Sequence, residues 1–333
     1  MTTAKQEKIL IIQPLPGIGD TVWFLPHLFS LRKQYPKASI TLLTKKRSKA
    51  DQILKDQKII DNFLWLERKP GKHSGFLGFF KLVKDLKKED FSKAWVLHKS
   101  CEYALACKLS KIPKIYAYGR GYSNFFVTPP YLSVEDMQKH PIDRATALLE
   151  AHNIPLQGLE TVTIEPKKEL IQTVNEKTNI NPDNKNIVLC IGGSEAYKKW
   201  PDGHFKKVAK IFLEKNCKVF VLGGLQEERE ANLIAKEIYE ESRLNINVVT
   251  NLSISEVICF ISQINLFIGN DTGMLNLAAA IGKPSIGLFG QTPALTYRKN
   301  LHPIIAPDSA EGKKVCNILP DQVISLSKNF VDL

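Results

Sequence analysis

Four short stretches hold side chains able to move a proton or bind a phosphate. The first is Gly17-Ile18-Gly19-Asp20. Its two glycines let a ligand come close to the backbone. Asp20 stands where a helix starts, and the positive end of the helix dipole keeps such a carboxylate ionised. Capping that helix is its other role. The second stretch, Gly192 to Pro201, joins two glycines with Ser194, Lys198 and Lys199. Backbone N–H groups, a hydroxyl and a compact positive charge suit phosphate oxygens, although a basic surface loop has the same composition. The third, Gly223-Gly224-Leu225-Gln226-Glu227-Glu228, places two carboxylates in a first helical turn. There they accept from ribose hydroxyls or offset the dipole. The fourth is Asn270-Asp271-Thr272-Gly273, followed by an Ala-rich run. Backbone N–H groups of Thr272 and Gly273 then lie at a helix N-terminus, which binds anions or is merely capped.

Each stretch needs a strand before it and a helix behind it. In the first half, apolar runs at 8–13, 39–44, 62–66, 94–98 and 115–118 predict short buried strands. Helical patterns start at Asp20 and cover about 75–89 and 100–110, so the half reads as repeated βα units with a parallel sheet. Residues 119–141 form an aromatic-rich loop with Tyr122, Phe125, Phe126 and Tyr131, and a helix follows over 142–152. The Pro-, Asn- and Lys-rich stretch 155–186 marks an inter-domain boundary. A second βα series has strands at 186–191, 218–222, 247–250, 266–268 and 285–289, with helices near 201–215, 226–242, 253–262 and 272–281 and a last one at 321–329. The expected fold class is α/β: two doubly wound domains, 1–160 and 161–333, facing each other across a cleft. The C-terminal helix has the option of packing back on the first domain. The three turns of the second half lie at carboxy ends of strands and converge on one sheet edge, as a site requires.

Composition narrows the function. The chain has 333 residues, 44% hydrophobic, enough for two soluble domains. No apolar run reaches the ~18 residues of a membrane span, and no signal-peptide pattern opens the chain. The six cysteines lack metal-ligand spacing and read as reduced thiols of a cytoplasmic protein. Residues 1–160 hold 26 Lys and Arg against 15 Asp and Glu, a net +11, whereas 161–333 hold 20 against 19. The first half therefore meets something anionic or carries a solvated lysine surface. The Gly17 turn lacks the third glycine of a dinucleotide fingerprint, and no Asp or Glu follows the strand ending at Thr44, which disfavours NAD. Lys45, Lys46 and Arg47 leave NADP open. No Asp-x-Asp pair is available to hold a diphosphate through a divalent metal. Lys198, Lys199 and the helix start at Asp271 to Gly273 neutralise a diphosphate without one, so no metal and no cofactor are expected.

With these residues in place, the chain resembles the lipopolysaccharide heptosyltransferases, glycosyltransferase family 9. The resemblance rests on Gly19-Asp20 with Leu25-Pro26 and Leu31-Arg32, on Lys198-Lys199-Trp200-Pro201, on Asn270-Asp271-Thr272-Gly273, and on Gly290-Gln291-Thr292-Pro293. It implies the GT-B fold of two Rossmann-like domains, the first binding an acceptor and the second a nucleotide sugar. It implies metal-independent transfer with inversion, from ADP-heptose or another nucleotide sugar to an anionic lipopolysaccharide core or similar glycolipid. Asp20 would be the base. Ser194, Lys198, one of Glu227 and Glu228, and Asp271, Thr272 and Gly273 would hold the donor, with Asn276 near its diphosphate and sugar. Gly17, Gly19, Lys45, Arg47 and Arg120 would lie on the acceptor side. The chain departs from the family at Asn276, where His is common, and at Gln291, where Pro is common. Two other classes remain open, an NADP-linked oxidoreductase and a non-enzymatic polyanion binder. Nucleic acid is not the expected partner.

Residues 75–88 invite a further expectation. On a helix, Phe76, Phe79, Phe80, Val83 and Leu86 follow three- and four-residue steps, and Lys81, Lys84, Lys87 and Lys88 crowd the remaining faces. Such a helix either packs on the first sheet with a basic back or lies in a membrane interface. The second alternative would place the protein peripherally on the cytoplasmic face of the inner membrane.

Overall fold

The computed structural model describes residues 6–119, 121–156, 162–193, 195–294, 297–310 and 312–332. The chain divides into two compact units, Met1–Val162 and Thr163–Leu333.

The first unit runs β1 (Lys8–Ile12), α1 (Ile18–Gln34), β2 (Ser39–Thr44), α2 (Ala50–Leu54), β3 (Asn62–Trp65), α3 (Gly75–Glu89), β4 (Lys93–Val96), α4 (Cys101–Leu109), β5 (Lys114–Ala117) and α5 (Pro141–Ala151). All pairings are parallel in the order β3-β2-β1-β4-β5. Ile9 to Ile12 of β1 are fully buried, as a central parallel strand covered on both faces requires. The chain winds from β1 to one side and then crosses to β4 on the other. The turns after β1 and β4 therefore diverge and open a crevice at the carboxy edge of the sheet.

In α1, Val22, Leu25, Leu28 and Leu31 are buried as the pattern requires, Trp23 is half-buried and Phe29 points outward. In α3 the inward face differs from the expected stripe. Gly78, Leu82 and Leu86 are buried, with Phe79 and Val83 partly covered. Phe76 and Phe80 are exposed. The stretch 119–141 is a loop carrying two short 3-10 turns, Gly121–Phe125 and Asp136–Gln138.

The second unit runs α6 (Lys168–Thr178), β6 (Asn186–Cys190), α7 (Asp202–Glu214), β7 (Lys218–Leu222), α8 (Glu228–Ser242), β8 (Asn247–Val249), α9 (Ile254–Ile261), β9 (Leu266–Asn270), α10 (Gly273–Ala280), β10 (Ser285–Phe289), β11 (Leu301–Ile305) and α11 (Pro320–Ser327). Its sheet is also parallel, in the order β11-β10-β9-β6-β7-β8. Here the direction changes between β6 and β9. The turn at Gly192 and the turn at Asp271 flank that switch point. Helix α11 packs on α7 of this same unit: Val323 joins its core, and Lys207 pairs with Asp321 at 3.0 Å.

Candidate active site

In the first unit the carboxy edge is built around the β1–α1 turn. Gly17 is the N-cap of α1, and Asp20 is the third residue of the helix. The Gly17 N–H donates to Asp20 Oδ2 at 2.7 Å. A Cβ at position 17 would lie 2.8 Å from that oxygen, so glycine is what lets the carboxylate fold back. Burial pushes the Asp20 carboxyl up from 3.8, against the Gly17 N–H and the nearby His140 and Lys45, which pull it down. Desolvation wins because it penalises only the charged form. Gly19 is buried inside α1.

Lys45 directly follows β2 and shares this edge, while Arg47 is exposed on the next turn. Arg120 lies outside the described residues. Two groups at this edge had no role in the sequence reading. Gln13, at the end of β1, is buried and its Nε2 has no hydrogen-bond partner among the described residues. His98, after β4, is held down to about 4 by burial, then by the positive charges of Arg144, Lys99, Lys45 and Arg68. It lines a small pocket with Ser100, Tyr118, Gly119, Ser123 and Met137, among others, and its Nδ1 accepts from Ser100 N–H at 3.1 Å. An apolar run ending in His was the only sequence signal for it.

In the second unit the three turns do gather at one edge. Asn270 organises two of them. It is fully buried, its Oδ1 accepts from Trp200 N–H at 2.9 Å, and its Nδ2 donates to Ile191 O at 3.0 Å and Gly192 O at 3.1 Å. Trp200 is itself buried, and its indole N–H donates to Ile318 O at 2.9 Å. The tryptophan thus anchors the basic loop in the core. This arrangement separates the two lysines. Lys199 Nζ pairs with Glu230 at 2.9 Å, and its stem packs where a Cβ on Gly193 would sit. Lys198 Nζ lies 3.9 Å from Asp271 Oδ2 and 3.8 Å from Glu195 Oε2. Ser194 lies outside the described residues.

Thr272 caps α10, with its backbone extended. Its Oγ1 is buried without a hydrogen-bond partner among the described residues. Gly273 opens the helix, and Asn276 Nδ2 donates back to Thr272 O at 3.1 Å. Burial raises the Asp271 carboxyl above 3.8, opposed by Lys198 and by a hydrogen bond from the Thr292 side chain. At the neighbouring turn, Glu227 Oε2 accepts from Gly224 N–H at 2.8 Å. Its side chain lies close to where Cβ atoms on Gly223 and Gly224 would sit, whereas Glu228 is exposed. Of this pair, Glu227 is the one held at the edge. A helix N-terminus, an orphaned hydroxyl, a lysine and a carboxylate are the donors and acceptor that a nucleoside diphosphate needs.

The model of glycosyltransferase family 9 (heptosyltransferase) matches residues 79–316. The chain belongs to that family. It is therefore a glycosyltransferase, and the oxidoreductase and polyanion-binder readings fall away. It is 25% identical over 305 residues to lipooligosaccharide heptosyltransferase 2 of Haemophilus influenzae, covering 85% of this chain and 83% of that one. It is 32% identical over 157 residues to lipopolysaccharide heptosyltransferase 1 of Campylobacter coli, a match that spans 44% of the relative and 45% of this chain. Among solved structures, a family 9 glycosyltransferase from Veillonella parvula superposes with a TM-score of 0.81 at 20% identity, covering 97% of this glycosyltransferase and 96% of that chain. The Escherichia coli ADP-heptose lps heptosyltransferase II gives 0.76 at 19% identity, covering 96% of each chain. The glycosyltransferase thus has the GT-B fold class with Rossmann-like units. The family match includes the whole edge formed by the Gly192, Gly223 and Asp271 turns and begins after the helix that carries Asp20.

Proposed function

We propose that this glycosyltransferase moves a heptose from ADP-heptose to a hydroxyl of an anionic lipopolysaccharide-core glycolipid, with inversion and without a metal. The observation that carries the donor half is the start of α10, where a buried Thr272 hydroxyl without a hydrogen-bond partner among the described residues sits at a helix N-terminus, with Lys198 3.9 Å from the adjoining Asp271. A diphosphate would fill those donors, and Glu227 would accept from the ribose. The ADP-heptose named for the Escherichia coli structural relative supports the choice of donor. Among the described residues no three His, Cys, Asp or Glu side chains gather as metal ligands would. The α10 N-terminus and Lys198 would neutralise the leaving group.

Asp20 supplies the base. The acceptor O–H gives its proton to the Asp20 carboxylate as the oxygen bonds to the anomeric carbon from the face opposite the diphosphate. The C–O bond to the diphosphate breaks, and its electron pair leaves on ADP. A carboxylate whose pKa is raised by burial is a stronger proton acceptor than an exposed one. The positive groups that hold His98 down, Arg144, Lys99, Lys45 and Arg68, suit phosphates or carboxylates on the acceptor.

The test is a turnover assay with ADP-heptose, other ADP-sugars and UDP-sugars on a core glycolipid, with EDTA present. Release of ADP with formation of a heptosylated, anomerically inverted product is expected. Preference for another nucleotide sugar would replace the donor, and a strict magnesium requirement would overturn metal-free transfer.

A further inference from the structure

The first unit carries exposed aromatic and aliphatic side chains at the same sheet edge as Asp20. Helix α3 follows a strand of a parallel sheet, so its N-terminal turn lies at the carboxy edge, and so does the loop after β5. At the first site Phe76 is 78% exposed, Leu77 76% and Phe80 48%; at the second Tyr122 is 88% and Phe125 85% exposed. These side chains do not hold the fold. Gly78, Leu82 and Leu86 dock α3 on the sheet, and Ser110 Oγ ties α4 to α3 through Val83 O at 3.0 Å. The ring of Phe76 instead stacks edge-on against Phe80, with centroids 5.0 Å apart, on the outer surface.

Along the same outward face the helix changes character. After Phe80 come Lys81, Lys84 and Lys87, all exposed, and none makes an ion pair among the described residues. Lys99, just before the N-cap of α4, and Lys108, in its last turn, are exposed. An apolar tip backed by unneutralised lysines is the composition of a surface that enters a headgroup layer: rings go below the phosphates and ammonium groups lie among them. A second copy of the chain fits poorly. It would bring these lysines against their own copies, on a half whose net charge is already +11.

We infer that Phe76, Leu77, Phe80, Tyr122 and Phe125, with Lys81, Lys84 and Lys87, seat the first unit on an anionic lipid bilayer. That this face serves to bring the Asp20 edge to its acceptor rests on the reading above that the acceptor is a lipid; binding to a bilayer does not. The seat presents the catalytic edge to a sugar that stands on the membrane surface. The rings act as a shallow wedge, not a span, since no helix among the described residues is long and apolar enough to cross a membrane.

Cosedimentation of the full chain tests this without donor or acceptor, using phosphatidylethanolamine/phosphatidylglycerol vesicles and pure phosphatidylcholine vesicles at low and high salt. Binding to the anionic vesicles that salt weakens is expected. Phe76→Ser with Leu77→Ser should lower the partition constant by roughly tenfold or more, the scale of two apolar side chains left unburied. Lys81→Glu with Lys84→Glu should lower it by about fivefold or more per lysine and weaken the salt dependence. Thermal melts and turnover on detergent-dispersed acceptor should stay at the native level for both variants, because every substituted residue is exposed. No binding to anionic vesicles at low salt overturns the proposal, as does binding that the serine pair leaves unchanged. A dimer that the serine pair dissociates, with no vesicle binding, overturns it in favour of self-association. Failure of turnover in the same preparations bears on the transfer reading and not on this face.

Discussion

Asp20 and Glu256 occupy the same local position in the two units. Each is the third residue of a helix, and each bonds the backbone N–H of its N-cap, Gly17 at 2.7 Å and Ser253 at 2.8 Å. Capping accounts for both contacts equally. Their surroundings are opposite. Glu256 also meets the Lys177 ammonium, which with Ser253 holds its carboxyl below 4.5. Among the described residues no cation forms an ion pair with Asp20, and burial drives it above 3.8 despite the nearby His140 and Lys45. A capping carboxylate that is stabilised as an anion is a structural part. One that is kept reluctant to ionise holds energy that proton abstraction releases.

The largest effect expected from breaking this comparison is on turnover. Asp20→Asn keeps an acceptor for the Gly17 N–H but cannot take a proton, so turnover should fall by about 10²–10⁴-fold. Its stability at pH 7 should hold or rise. A raised folded pKa means the ionised form weakens the fold once pH passes that value, and asparagine removes the charge. Initial rates and denaturant titration on one preparation read both. Near-native turnover would reduce Asp20 to a cap.

Burial acts on a second group of α1 with a measurable consequence. His27 is fully buried against Thr146 Oγ1 at 3.0 Å and is held down to about 4. The unfolded chain binds its proton near 6.5, the folded one only near 4. Stability from this group is therefore complete above pH 6.5 and is lost as pH falls toward 4, by about 3 kcal/mol. Urea denaturation at intervals across that range should show the slope; a flat profile would mean that the His27 site admits water.

The two lysines of the second unit repeat the contrast on a smaller scale. Lys198→Ala should weaken ADP binding by about 1.5–3 kcal/mol, the range for a hydrogen bond to a charged group. Lys199→Ala, which breaks the pair with Glu230, should leave ADP binding nearly unchanged and cost about 1 kcal/mol of stability or less. Calorimetric titration of ADP into each variant separates them, and equal losses would mean that the loop binds as a unit. Smallest of all, Glu256→Gln should lower stability at pH 7 by roughly 0.2–1 kcal/mol. That loss should vanish in acid, because a lowered folded pKa contributes fully above the unfolded value of 4.5 and its contribution is lost as pH falls through the folded one. Thermal melts at two pH values check it.

Much of this was legible in the sequence because it is local. Strands buried on both faces read as apolar runs, and a Gly-x-x-Asp cap places Asp20 at its helix start without any tertiary knowledge. What was missed depends on distance or on weak patterning. Strand β11 carries Pro303, which cannot donate to a ladder; it survives because it is an edge strand paired only with β10. Helix α6 buries only Val174 and Thr178, so its polar composition passed for a linker. Asn270 was visible as a motif letter, but its three bonds reach Ile191, Gly192 and Trp200, 70 to 79 residues away. On α3 the error was geometric. One stripe was drawn through what are two faces: Phe79, Val83 and Leu86 turn to the core with Gly78 and Leu82, whereas Phe76 and Phe80 are exposed. The carbonyl carbon of His73 would lie 2.3 Å from a Cβ at position 78.

The most direct test of the Asp20 assignment is the pH dependence of kcat/KM, which reports the ionisations of the free enzyme. Native protein should lose activity on the acid side with an apparent pKa above the ordinary Asp value of 3.8, and Glu256→Gln should leave that limb in place. Asp20→Asn should show only a small residual rate in which the limb is absent. An acid limb at or below 3.8, or one that persists unchanged in Asp20→Asn, would contradict the assignment of Asp20 as the base.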